Sequence, residues 1–187
     1  MEERNRILKD KLDTLYGCNV AAAACLVAAI IPFVNIIAVI VALGAAVIVF
    51  FTMLKLKDMH DDYHTAFMLS IINVAVNLIG SLMGGGVEVV LDITVSLIGL
   101  AQTYYIIRAT NYFLEEMACN EVCERGHAAF RFYLVSHVID IAVLLLGALL
   151  GRSGAGLTLV VALISLVVSI IGMIAYIKYL GAAKDCF

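Results

Sequence analysis

His137 and Asp140 lie one helical turn apart within a long apolar run, Ala128–Leu150. An imidazole and a carboxylate at that spacing share a helix face and could pass a proton or hold a cation. Glu88 and Asp92, spaced i, i+4, open a second apolar run and could form a cation-attracting mouth. Asn73 and Asn77 repeat the spacing in a third run and offer neutral dipoles. These six residues make up a candidate transport path. On insertion scales a central Asp costs about 2.5–3.5 kcal/mol, and aliphatic or Phe residues return about 0.3–0.6 kcal/mol each. The 13 Leu, Ile, Val and Phe residues of Ala128–Leu150 therefore carry Asp140 into a bilayer. An acid at that depth faces a partner, a cavity or an ion route. The structural alternative for Asp140 is a hydrogen bond to Asn77 or His137. For Glu88 and Asp92 the alternative is the opening turn of a helix, where free N–H groups and the helix dipole favour acids.

Metal and nucleophile chemistry have weaker candidates. His60 and His64 stand at i, i+4, while Cys119, Cys123 and His127 stand at i, i+4, i+8. On helices each set shares a face, and thiolate with imidazole suits zinc. Neither spacing is a recognised zinc pattern, and amphipathic connecting helices account for both, so no metal or other cofactor is expected. The five Cys residues suggest no disulfide framework, because none falls in an expected outer loop. Gly151-Arg152-Ser153-Gly154 resembles the serine motif of rhomboid-type intramembrane proteases, as does a six-span count. Those enzymes draw their base from a later helix, whereas all four His residues here precede Ser153. The nearest, His137, is 16 residues away, about 24 Å along a helix, beyond the reach a nucleophile needs from its base. With no HExxH helix and no phosphate-binding loop either, the chain is not expected to be an enzyme.

The elements that must position these residues are membrane helices. Of 187 residues, 64% are hydrophobic and 14% charged, with a mean hydropathy of +1.06. Soluble domains are nearer half apolar and a quarter charged, so lipid has to cover the surplus. A net charge of −3 points to no nucleic acid partner. Leu15–Leu54 contains no charge over 40 residues, and as one helix would reach about 60 Å against a hydrocarbon core of about 30 Å. Breaking it near Pro32 gives two spans, Leu15–Ile31 and Phe33–Leu54; the other choice is one kinked, tilted helix. Thr65–Met83, Val87–Ile107, Ala128–Leu150 and Ala155–Ile177 supply four more.

The expected fold is thus an all-α integral membrane protein of six transmembrane helices, arranged as three consecutive hairpins. The segments are an N-terminal stretch 1–14, hairpins 15–54, 65–107 and 128–177, connectors 55–64 and 108–127, and a tail 178–187. Six spans place 11 of the 12 Lys and Arg residues on one side, whereas five leave no bias. The positive-inside rule therefore puts both termini and both connectors in the cytoplasm, with the plasma (inner) membrane as the expected location. All eight Tyr residues gather towards those same ends, as interfacial aromatics do. His64-Thr65-Ala66-Phe67 returns as His127-Ala128-Ala129-Phe130, and Asn77 as Asp140, at an offset of 63, which suggests an internal repeat.

Small and polar residues spaced by three and four stripe every span, as packing seams do. Gly80 with Gly84 and Gly147 with Gly151 form two GxxxG pairs suited to close helix contact, within the chain or in a homo-oligomer. Two functions fit this frame. One is a small channel or transporter for an ion or solute that uses the intramembrane acids. The other is a membrane scaffold or anchor that oligomerises and binds a cytoplasmic protein through Arg108–His127.

Overall fold

The computed structural model describes residues 2–28, 34–82, 88–150 and 155–187. Those residues form six helices: α1 (Glu2–Ala28), α2 (Val34–Leu56), α3 (Asp61–Leu82), α4 (Glu88–Glu116), α5 (Asn120–Leu150) and α6 (Ala155–Lys184). Pro32, Gly84, Gly151 and Ser153, and the side chain of Glu88, lie outside the described residues. Five helices, α2 to α6, are long and apolar enough to cross a bilayer. In α1 the charged start leaves only the run from Thr14 to Ala28 apolar, about 22 Å of helix against about 30 Å of hydrocarbon.

Each helix packs on its sequence neighbour, most extensively α1 on α2, α3 on α4 and α5 on α6, and α6 returns to α1. Three hairpins therefore close into a ring of six helices. Close packing is concentrated at one end of that ring. Leu8, Leu12 and Leu15 of α1, Met53 and Leu56 of α2, and Tyr63 and Ala66 of α3 are essentially inaccessible there. Leu114 of α4, Ala129 of α5, and Tyr179 and Leu180 of α6 complete the same core. Along the remaining length the helices present Leu, Ile and Val outward, with Leu149 81% and Ile36 71% exposed. In water such a surface would be untenable, and in a bilayer it is the lipid-facing wall.

Residues 2–14 are part of the packed base, since they form the first half of α1. Leu8, Leu12 and Leu15 recur at i, i+4, i+7, which places them on one face, and that face enters the core. Its charged residues tie α1 to other helices: Arg4 pairs with Glu116 of α4 at 2.5 Å, and Asp13 with Lys184 of α6 at 2.5 Å. The Arg4 guanidinium also sits 5.1 Å from the centre of the Phe113 ring.

The helices also run past the apolar spans. α4 continues to Glu116 and α5 begins at Asn120, so Arg108–His127 is mostly helix with one tight turn. Cys119 donates its N–H to Leu114 O at 2.9 Å and Ala118 to Glu115 O at 3.0 Å, the two bonds of a Schellman closure. Ala118 occupies the left-handed position, φ 59°, which costs an L-residue about 1–2 kcal/mol. Ala118→Gly is expected to raise stability by about 1 kcal/mol, read as a higher melting temperature in a fixed detergent. An unchanged or lower value would show that the turn stores no such strain.

Candidate functional site

A cavity of about 590 Å³ opens among α1, α2, α3 and α4. Its walls on α2 are Ala42, Ala45 and Ala46, so the small-residue stripe of this helix leaves space at this level. The polar lining is neutral: Cys18 and Asn19 of α1, Ser70, Asn73 and Asn77 of α3, and Gln102 of α4. Asn73 and Asn77 were anticipated as path residues. Asn19 and Gln102 were not, because each is a single amide in an apolar helix and only closure of the ring brings them to one space.

Hydrogen bonding sets what this cavity can offer. Asn19 donates from Nδ2 to Leu15 O at 2.8 Å, one turn back on its own helix. Asn77 donates from Nδ2 to both the backbone O and Oδ1 of Asn73, each at 2.8 Å. Ser70 donates to Ala66 O at 3.0 Å. The donors of Asn19, Asn77 and Ser70 are thus turned to carbonyls of their own helices, which leaves Oδ1 of Asn19 and Asn77 as acceptors. Among the described residues no carboxylate lines the space.

The acids and His137 sit elsewhere. Asp140 accepts a hydrogen bond from the buried Ser165 hydroxyl of α6, so neither Asn77 nor His137 is its partner. The bond joins α5 to α6, which approach closely because Gly172 lies against the backbone of Phe132 and Tyr133. His137 bonds through Nδ1 to Tyr133 O at 2.9 Å, and its ring lies 5.8 Å from that of Tyr133. Asp92 is exposed on α4. Of the glycine pairs, Gly80 faces Leu91 of α4, whose Cδ1 would be 3.3 Å from an added Cβ. It serves contact within the second hairpin. Gly147 is half-buried on α5.

A second cavity, about 390 Å³, lies at the packed end between the start of α3, the end of α4 and the start of α5. His60 caps α3 there, its Nδ1 accepting the Asp62 N–H at 3.1 Å. Asp62 in turn holds Arg108 Nε at 3.2 Å. Beside this cavity Asn111 ties three helices together. Its Oδ1 accepts from the Tyr179 hydroxyl at 2.8 Å, and its Nδ2 donates to Cys123 O at 3.3 Å. Gly126 makes that junction possible, for an added Cβ would stand 2.7 Å from the Tyr179 ring.

The metal candidates separate in this arrangement. His60 is the cap of α3 and His64 is exposed on its first turn, while Cys123 is buried and His127 exposed on α5. Cys123 Sγ donates to Asn111 O at 3.7 Å, so it serves as a thiol. Burial pushes the Cys186 thiol up to about 12, aided by a hydrogen bond with Cys119. Among the described residues no three His, Cys, Asp or Glu side chains converge as a metal's ligands would.

No family model, curated protein or solved structure matches this chain.

Proposed function

We propose that the protein is a channel or transporter that admits a small, neutral, hydrogen-bond-donating solute through the amide-lined cavity. The observation that carries this reading is the convergence of Asn19, Asn73, Asn77 and Gln102 on one space of about 590 Å³. Amides within a membrane bundle are costly unless they bond to a helix, a ligand or water. The neutral lining that the described residues supply favours a neutral solute over a cation, whose charge they would leave uncompensated. The acids belong to this proposal in a supporting role. Asp140 and Ser165 brace the third hairpin at the offset of 63 from Asn77 and Gln102, as a repeated unit would have it.

In the same proposal α1 is the sixth span, both termini and the packed base are cytoplasmic, and the host is the plasma membrane. The base count supports that sidedness. A homo-oligomer belongs to the same proposal, through the apolar outer faces that hairpin packing leaves open. The anchor reading draws on a different feature, the exposed acids Glu115, Glu116, Glu121 and Glu124 around the α4–α5 turn. These would suit a basic cytoplasmic partner.

Liposome swelling separates the possibilities. Purified protein in liposomes should admit small neutral solutes such as urea or glycerol faster than empty liposomes, with little ion leak. Asn77→Leu should reduce that rate at least about tenfold, equivalent to about 1.4 kcal/mol in the barrier, while Asp140→Asn, which keeps the acceptor for Ser165, leaves it unchanged. Swelling equal to empty liposomes would overturn the transport reading. Loss of flux in a folded Asp140→Asn protein would return the path to the acids.

A further inference from the structure

The cavity at the packed end offers hydrogen-bond donors and a carboxylate that the fold does not consume. Arg108 bonds Asp62 through Nε, which leaves the two Nη groups of its fork as donors. Glu115 lies two helical turns further along α4, on the same face, and has no ion pair among the described residues. His127 of α5 lines the cavity beside them. A simple anion placed here meets the open Arg108 donors but is opposed by Glu115 and by Asp62, and a simple cation meets Glu115 but is opposed by Arg108. A ligand bearing both charges satisfies both groups at once.

The level of the cavity adds a second constraint. On its bilayer side stand Ile107 and the rings of Tyr104 and Phe130, whose centres are 5.2 Å apart. Beyond them α4 carries no charge back to Asp92. Arg108 is therefore the first charge below the lipid-facing wall, where phosphates lie, and Glu115 stands further into water. Along α4 the order is aromatic, cation, anion.

We propose that this cavity is a binding site for a phosphate–ammonium zwitterion, the group carried by ethanolamine phospholipids. The phosphate meets Arg108 and His127, the ammonium meets Glu115, and the acyl chains leave past Tyr104 and Phe130. At about 390 Å³ the space is within the range of small-ligand pockets. A primary ammonium can donate hydrogen bonds to Glu115, whereas a choline group cannot, and a glycerol headgroup has no cation to offer.

The test is lipid retention. The full chain is extracted from bilayers holding equal parts of ethanolamine, choline and glycerol phospholipids, and the lipid that stays with it is measured. Ethanolamine lipid should be enriched about tenfold over the other two, the ratio that about 1.4 kcal/mol of preference produces. Glu115→Gln breaks no ion pair of the fold and should return retention to the bulk proportions. Arg108→Gln should do the same, with helicity as its folding control because it also releases Asp62. Displacement of the retained lipid by soluble phosphoethanolamine would confirm the headgroup as the recognised part. Binding of phosphoethanolamine without lipid enrichment would support the zwitterion site with a soluble ligand as its source. Retention in bulk proportion with no phosphoethanolamine binding would overturn the proposal. So would enrichment that survives Glu115→Gln.

Discussion

Tyr179→Ala is expected to lower stability by about 3–5 kcal/mol, the range for emptying a large aromatic site in a packed core. The ring is fully buried and lies 6.3 Å from that of Tyr176. Its hydroxyl donates to Asn111 Oδ1 at 2.8 Å and reaches Ile107 O at 3.3 Å. Truncation would open a void beneath α6 and leave a buried amide oxygen without its partner. Tyr179→Phe separates the two losses, because it keeps the ring and removes only the bond. It should cost about 1–3 kcal/mol, the penalty for an unmet buried acceptor. Thermal unfolding in one detergent would check both, and equal melting of Tyr179→Ala and the parent protein would refute the packed base as the stable part of the fold.

Leu12→Ala is expected to cost about 2–5 kcal/mol, although it falls in a stretch of sequence that reads as polar. Leu12 is fully buried, between Leu8 and Leu15 on the face of α1 that enters the base. By contrast, Leu149→Ala should be nearly silent in detergent, because that side chain is 81% exposed and loses few protein contacts. Removing the Lys184–Asp13 pair should also matter little, since exposed ion pairs contribute about 0–1 kcal/mol. A melting curve in which Leu149→Ala falls as far as Leu12→Ala would invert this picture. The outer wall, rather than the base, would then hold the bundle together.

Much of the architecture is legible in the chain because bilayer thickness imposes a length on each apolar run. The all-helical structure and its long apolar helices follow from that constraint. The base was not read, for two physical reasons. In MEERNRILKDKLD the charges dominate composition, although Leu8, Leu12 and Leu15 hold the buried spacing. Tyr63 and Tyr179 looked like interfacial aromatics, yet their hydroxyls hydrogen-bond with Thr110 and Asn111 of another helix. Such partners are chosen by tertiary packing. At the candidate site the repeated Asn73–Asn77 spacing was informative, whereas Asn19 and Gln102 gave no pattern to detect. Ser165 was visible as part of a polar stripe, but its pairing with Asp140 depends on how α5 crosses α6.

Closure of the ring by α1 and α6 has a consequence for synthesis. The contact that joins Lys184 to Asp13 spans 171 positions of the chain, so α1 is made long before the helix that covers it. At a ribosomal rate of about 5–20 residues per second, that interval is about 10–30 s. During it the leucine face of α1 has no α6 to meet. The nascent chain must therefore hold an unfinished circle, and a chaperone or the insertion machinery has its longest opportunity to act at the first helix.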